Sequence, residues 1–95
     1  MKRYMPVVNY IIANASSKDD AIIGSKIANA FGINCIKLRQ YVNEARSDGL
    51  SICSYSRGYY YSTRSEDVDD TIRHLKGRIS KVESAIEGLS GARVI

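Results

Sequence analysis

One face of a predicted helix, between residues 36 and 43, carries side chains of the kinds that recognise nucleic acids. Lysine and arginine donate to guanine O6 and N7 or to phosphates, and glutamine and asparagine pair bidentately with adenine. The face consists of Ile36, Lys37, Arg39, Gln40 and Asn43. We expect its four polar members to contact bases in the major groove of DNA. An ordinary solvated helix face is the alternative, because polar outer faces are the rule.

This face belongs to the second of two short helices that are joined by a tight turn. The first helix begins near Ser25, whose hydroxyl can cap free backbone amides. Gly32 ends it, since glycine accepts the left-handed conformation of a helix terminus. Ile33 fills the corner as an apolar anchor, and the side-chain oxygen of Asn34 caps the helix that follows. This order of residues is the signature of a helix-turn-helix.

Apolar residues repeat at helical spacing along the second helix. Leu38, Val42 and Ala45 follow at i, i+4 and i+7, and the pattern ends near Gly49. The stripe predicts which side of the helix is buried, and it leaves the polar face outside.

A β-hairpin is predicted directly after Gly49. Two β-prone runs, 50–53 and 59–62, flank a Ser/Arg/Gly turn. Period-two alternation places Leu50 and Ile52 inward and Tyr60 on the exposed face. An exposed Tyr60 would stack on a base or donate to a phosphate, or it would be plain strand surface.

Two further elements are predicted before the helix-turn-helix. Residues 21–23 are expected to form a third strand, and residues 5–15 a helix that packs on the core.

At this point the chain resembles the winged helix-turn-helix domains, of the type found at the N-terminus of the biotin operon repressor and in small stand-alone proteins of bacteria and phages. The resemblance covers Tyr4 to Thr63. It is carried by 24–30, Gly32-Ile33-Asn34, the Leu38/Val42 stripe, Asp48-Gly49 and Arg57-Gly58-Tyr59. It implies that Asn34 to Asn43 enter the major groove and that Arg57, at the tip of the wing, meets phosphate or the minor groove. The resemblance does not extend to a ligase or ligand domain, so the enzymatic activity of the biotin operon repressor is not carried over.

Positive charge is concentrated in the same region. Residues 1–64 hold nine Lys/Arg and four Asp/Glu, a balance of +5, whereas residues 65–95 hold five and six, a balance of −1. A basic domain favours phosphate attraction. The expected phosphate contacts are Lys26, Lys37, Arg39, Arg46 and Arg57.

A heptad repeat follows in the C-terminal third of the chain. After a predicted helix start at Ser65, apolar residues recur at spacings of four and three: Val68, Ile72, Leu75, Ile79, Val82, Ile86 and Leu89. The a positions of the heptad hold isoleucine and the d positions hold leucine or valine, a pattern that favours a parallel two-stranded coiled coil. In such a pair Arg78 would face Glu83 of a second copy. An antiparallel pair, or a helix folded back on its own domain, are the alternatives.

The sequence thus predicts an α+β protein with a winged helix-turn-helix domain over residues 1–64, a dimerisation helix over 65–89 and a tail over 90–95. Cys35, Cys53 and His74 are isolated, which predicts no metal, cofactor or disulfide. No grouping suits catalysis, and no apolar run or leader predicts a membrane or secreted location, so we expect a cytoplasmic protein that is not an enzyme.

Two functions are consistent with these predictions. The first is a homodimeric, sequence-specific regulator of a bacterium or phage that binds double-stranded DNA. The second is a winged-helix interaction module that binds a protein of the replication, transcription or phage-defence machinery.

Overall fold

The computed structural model describes residues 2–92 and has an α+β architecture. The helices are α1 (Met5–Asn14), α2 (Gly24–Ala30), α3 (Cys35–Ser47) and α4 (Ser65–Gly91), and the strands are β1 (Ile22–Ile23), β2 (Ile52–Tyr55) and β3 (Gly58–Tyr61). A short 3₁₀ turn, Lys18–Asp20, precedes β1. The predicted order of helix, strand, helix, helix, hairpin and helix is confirmed.

Two glycines end α2 and α3 with the same local structure. Gly32 has φ +63° and Gly49 has φ +93°. In each case the next residue donates back into the helix, Ile33 N to Ala28 O and Leu50 N to Ala45 O, both at 3.0 Å. This is the Schellman motif, which satisfies carbonyls that a helix end leaves free. The second motif occupies Leu50, so β2 begins at Ile52 and the predicted strand 50–53 was placed two residues too early.

The sheet has the order β1-β3-β2, and all its strands are antiparallel. Gly58 lies opposite Ile23, and a Cβ on it would stand 3.0 Å from the Ile22 carbonyl oxygen. The absence of a side chain at this position therefore lets β1 approach β3. At the other end of β3, the Tyr61 amide donates to the Ala15 carbonyl at 2.9 Å, which ties the end of α1 to the central strand.

The core lies between the first three helices and the sheet. It includes Val8 and Ile11 of α1, Ile27 of α2, Leu38 and Val42 of α3, and Ile52 of β2, all nearly inaccessible to solvent. The predicted buried stripe Leu38, Val42 and Ala45 is confirmed. Because α2 and α3 share this core, their outer faces have a fixed orientation relative to each other.

The prediction that Tyr60 is exposed was wrong, since this residue is 3 % exposed. Burial along β3 is the opposite of the prediction, since Tyr60 is buried and Tyr59 and Tyr61 are half-buried. The beginning of α4 packs on this part of the sheet. Tyr60 pairs with buried Cys53 of β2, which is the strand that α4 contacts. Burial raises the pKa of the Tyr60 phenol to about 12, and the neighbouring Cys53 and Asp67 add to the shift. Tyr60 is therefore a core residue and is withdrawn as a DNA contact.

A small hydrogen-bond network holds the beginning of α4. The Ser62 hydroxyl donates to Asp67 Oδ2 at 2.6 Å and accepts from the Arg64 amide at 3.2 Å. Ser65, the expected cap, is instead the first helical residue, and Arg64 occupies the capping position. Asp67 lies in the first turn, where the helix dipole favours a negative charge.

Beyond its first turns, α4 presents an apolar stripe to solvent. Ile72, Ile79, Val82, Ile86 and Leu89 are all exposed, and Leu89 retains 76 % of its accessible surface. The helix continues to Gly91, beyond the predicted start of the tail at residue 90. The rest of the predicted tail, residues 93–95, lies outside the described part of the chain.

None of the helices within residues 2–92 combines the length and the apolar character needed to cross a bilayer.

Candidate nucleic-acid interface

The outer face of α3 is formed by the residues that the sequence singles out. Ile36, Arg39, Gln40 and Asn43 are exposed, with Ile36 at 66 %. The buried stripe on the opposite side of the same helix fixes their direction. A 13-residue helix is about 20 Å long, and its exposed face offers side chains of the length and donor type that reach base edges.

Asn34 and Lys37 are both held by contacts within the helix. The Asn34 side chain accepts from the Lys37 amide at 2.7 Å, which confirms the predicted cap. The Oδ1 of Asn34 is therefore used by the cap, and its side-chain NH₂ group remains as a donor for a ligand. The Lys37 ammonium lies 5.3 Å from the centre of the Tyr41 ring, and this cation–π contact leaves the lysine half-buried.

The hairpin turn is fixed against the start of α2. It consists of Ser56, in the left-handed region at φ +57°, and the exposed Arg57. The Arg57 carbonyl accepts from the Gly24 amide at 3.1 Å. Arg57 and Arg39 of α3 therefore line the same surface depression beside the first turn of α2.

Arg46 is not the freely exposed phosphate contact that its sequence position suggested. Its Nε donates to the Ile52 carbonyl at 2.8 Å, its Nη2 lies 3.4 Å from Ser54 Oγ, and its guanidinium lies 5.9 Å from the centre of the Tyr59 ring. Burial lowers the pKa of this guanidinium, although the group stays charged at neutral pH. Arg46 joins α3 to β2 and retains Nη1 as a donor for a ligand.

Lys26 lies on a different part of the surface from the other predicted contacts. It is exposed on α2 and borders a depression that also contains Tyr10, Asp20 and Asn29. Lys26 therefore has an acidic residue nearby, whereas Arg39 and Arg57 have none in the depression that they share.

The structure places two residues of α4 beside the arginines of this surface. His74 and Arg78 line an open groove of about 380 Å³ together with three arginines. We call this the arginine groove, and its basic residues are Arg39, Arg46, Arg57, His74 and Arg78. Arg78 was predicted to face the partner helix of a coiled coil. The i, i+4 spacing of His74 and Arg78 is the local signal that they share a face of α4.

No family model matches this chain, and no curated protein and no solved structure is significantly similar to it. Within residues 2–92, no three His, Cys, Asp or Glu side chains are placed to hold a metal ion. Function is therefore inferred from the side chains of this surface.

Proposed function

We propose that the protein is a winged helix-turn-helix protein that binds double-stranded DNA in a sequence-specific manner, with α3 in the major groove. The observation that carries the proposal is the exposed face of α3, on which Arg39, Gln40 and Asn43 project from a helix whose other side is buried. An α-helix fits the major groove, and these three side chains can form bidentate or directional bonds to guanine and adenine.

The hairpin supplies the second contact in this proposal. Arg57 stands at the turn, and the bond from the Gly24 amide holds that turn beside the helix pair. With α3 in the major groove, Arg57 reaches a flanking phosphate or the adjacent minor groove. Such contacts position the protein along the duplex, while the α3 side chains specify the sequence.

Salt dependence of duplex binding tests the proposal. With about four phosphate contacts, the affinity for a random duplex falls about 100-fold between about 50 and about 200 mM salt. Fluorescence anisotropy of a labelled duplex measures this directly. An affinity that does not change with salt contradicts the proposal, and so does an absence of binding at low salt.

A double variant separates the helix face from general charge. Arg39→Ala with Gln40→Ala removes two proposed base contacts and one charge, and we expect it to abolish sequence preference. Lys76→Ala removes the same charge from an exposed position of α4 outside the arginine groove. Equal losses in the two variants contradict recognition by α3.

In the cytoplasm of a bacterium or an infected host, such a protein would act as a transcriptional regulator.

We further propose that the protein is a homodimer that pairs through α4. The stripe keeps heptad spacing, and its C-terminal part is exposed in the described residues 2–92. Its members are Val68, Ile72, Leu75, Ile79, Val82, Ile86 and Leu89. Each side chain contributes about 1.5–3 kcal/mol if it becomes fully buried, before ordering costs. Pairing would hold two recognition helices at the fixed spacing that two half-sites require.

Light scattering tests the dimer. Ile79→Lys places a charge on the stripe and should give a monomer, whereas Ser80→Lys places the same charge beside the stripe and should leave a dimer. Both positions are exposed, so neither change disturbs the core. A wild-type monomer at all concentrations contradicts the proposed pairing.

The exposed apolar side chains also favour a second candidate, an interaction module for another protein. Ile36 on α3 and Ile23 on β1 are both more than half exposed, so they add apolar surface to the exposed stripe of α4. In that case the Arg39→Ala, Gln40→Ala variant keeps its activity, and changes in the apolar stripe of α4 remove it.

A further inference from the structure

Three elements that are distant in sequence bring arginines to one groove. Arg39 and Arg46 come from α3, Arg57 comes from the hairpin turn, and Arg78 comes from α4. His74 stands one turn before Arg78. None of the residues that line the groove carries a carboxylate.

These arginines have no counter-ion within residues 2–92. The ion pairs of this part of the chain lie elsewhere, between Lys2 and Asp48, Arg64 and Glu66, and Arg73 and Asp70. Arg78 is close enough to Arg46 to contribute to the lowering of the Arg46 pKa, of which burial is the main cause. Like charges that converge without compensation create a positive potential, and an anion relieves it.

The position of Arg78 follows from the attachment of α4 to the sheet. The Thr71 hydroxyl accepts from the Ser54 amide at 3.3 Å, which fixes one face of α4 against β2. Arg78 is seven residues further along, two helical turns on the same face, so it projects beside the hairpin. His74 lies between them on that face.

Donors of several kinds surround the open space. Ser54, Ser56 and Tyr59 add hydroxyls to the guanidinium groups. Guanidinium forks match the geometry of a tetrahedral oxyanion and bind phosphate bidentately. The volume of about 380 Å³ is ample for a phosphate and a flanking sugar.

We propose that the arginine groove binds a phosphate group, and that Arg78 of α4 contacts it together with Arg57 of the hairpin. In the DNA complex this phosphate belongs to the backbone beside the major groove, an extension that rests on the proposed function. Helix α4 then contacts the duplex directly, besides any role in pairing. A free phosphorylated molecule is the other source of the same chemistry.

Two titrations of the full chain test the site and its ligand. In the first, duplex affinity is measured against salt for wild type, Arg78→Gln and Lys76→Gln. We expect the salt slope to fall by about 1 for Arg78→Gln and to stay unchanged for Lys76→Gln, which makes the same charge change outside the groove. In the second, inorganic pyrophosphate is added without DNA while backbone amide resonances are followed by NMR. We expect shifts at residues 54–59 and 74–78 that Arg78→Gln removes.

The outcomes distinguish the site from the proposed function. Pyrophosphate shifts that depend on Arg78, with no duplex binding, support the groove with a free phosphorylated ligand and contradict the DNA proposal. Duplex binding with equal slopes for Arg78→Gln and Lys76→Gln, and no pyrophosphate shifts, overturns the groove and leaves the DNA proposal standing. Arg78 is exposed and has no hydrogen bond to another side chain in the described part of the chain, so Arg78→Gln should keep the wild-type unfolding temperature.

Discussion

The Nε of Arg46 donates to the carbonyl oxygen of Ile52 across 2.8 Å, which joins the last turns of α3 to the outer edge of β2. On the same strand, the Ser54 amide donates to Thr71 Oγ1 of α4. β2 has a partner strand on one side only, and such an edge otherwise presents unpaired backbone groups. Two helices therefore satisfy the open edge of the sheet.

Replacing Arg46 should lower the free energy of unfolding, because Arg46 joins α3 to β2. Arg46→Met keeps an unbranched stem but removes the donor to Ile52, and we expect a loss of about 1.5–3 kcal/mol in the free energy of unfolding. Urea unfolding followed by circular dichroism measures it. Arg39→Met is the control, because Arg39 is exposed on the same helix, and surface changes of this kind stay within about 0.5 kcal/mol. Equal stabilities of the two variants contradict the role of Arg46.

Removal of the Thr71 hydroxyl should release α4 from the sheet edge. Thr71→Val keeps the shape but leaves the Ser54 amide without its partner, a cost of about 1–3 kcal/mol. Hydrogen exchange of the Ser54 amide should accelerate by more than the loss of global stability explains. Thr71→Ser retains the hydroxyl and should protect this amide nearly as well as wild type. Unchanged exchange in Thr71→Val would show that the bond is not formed in solution.

The attachment of α4 should weaken in acid. The hydroxyl of Ser62 donates to Asp67 and lowers the pKa of this carboxyl below its ordinary value. A carboxylate with a lowered pKa stabilises the fold fully above the unfolded pKa of about 3.9, and the contribution is lost as the pH falls through the folded pKa. We therefore expect Asp67→Asn to lower the melting temperature at neutral pH.

The difference between wild type and Asp67→Asn should then shrink as the pH is lowered from about 7 to about 3. Thermal unfolding at a series of pH values measures it. Asp69→Asn removes the same charge two residues further along α4, and Asp69 makes no side-chain hydrogen bond in the described part of the chain, so its effect should be smaller. A difference that is constant with pH argues against the Ser62–Asp67 bond.

Two glycines should respond in opposite directions to alanine. Gly58→Ala places a Cβ 3.0 Å from the Ile22 carbonyl and 3.1 Å from Ala21 Cβ, so β1 must move, and overpacking of this kind costs about 1–3 kcal/mol. Gly77 lies within α4 with nothing near its Cβ position, and Gly77→Ala should stabilise the helix by about 1 kcal/mol. Chemical denaturation of both variants measures these changes, and a neutral Gly58→Ala contradicts the close packing of β1.

Local signals in the sequence were sufficient for most of the fold. Gly32 and Asn34 mark a helix end and a helix start through their own conformational and hydrogen-bonding preferences, and both are found in those roles. The buried stripe of α3 follows from periodicity in the same way. The start of β2 was misplaced because Leu50 is β-prone but is used by the end of α3 instead.

Contacts between distant segments account for what the sequence did not predict. Tyr60 was predicted to be exposed, yet it is buried where the start of α4 packs on the sheet, and no pattern within the hairpin encodes that packing. The bond from Arg46 to Ile52 was not predicted, because its carbonyl partner lies beyond the helix, in β2. The arginine groove needs α3, the hairpin and α4 together, so no stretch of sequence contains it.

The central position of β3 has a consequence for synthesis. β1 ends at Ile23, but β3, its partner strand in the described sheet, ends at Tyr61, 38 residues later, so this pairing cannot form until that segment is made. At typical ribosomal rates this gap lasts about 2–8 s. In the last part of that interval, after Ser47 has been made, α1, α2 and α3 are complete while β3 is still missing. The nascent chain therefore carries a finished α3 on an unfinished domain, with the apolar side of that helix uncovered.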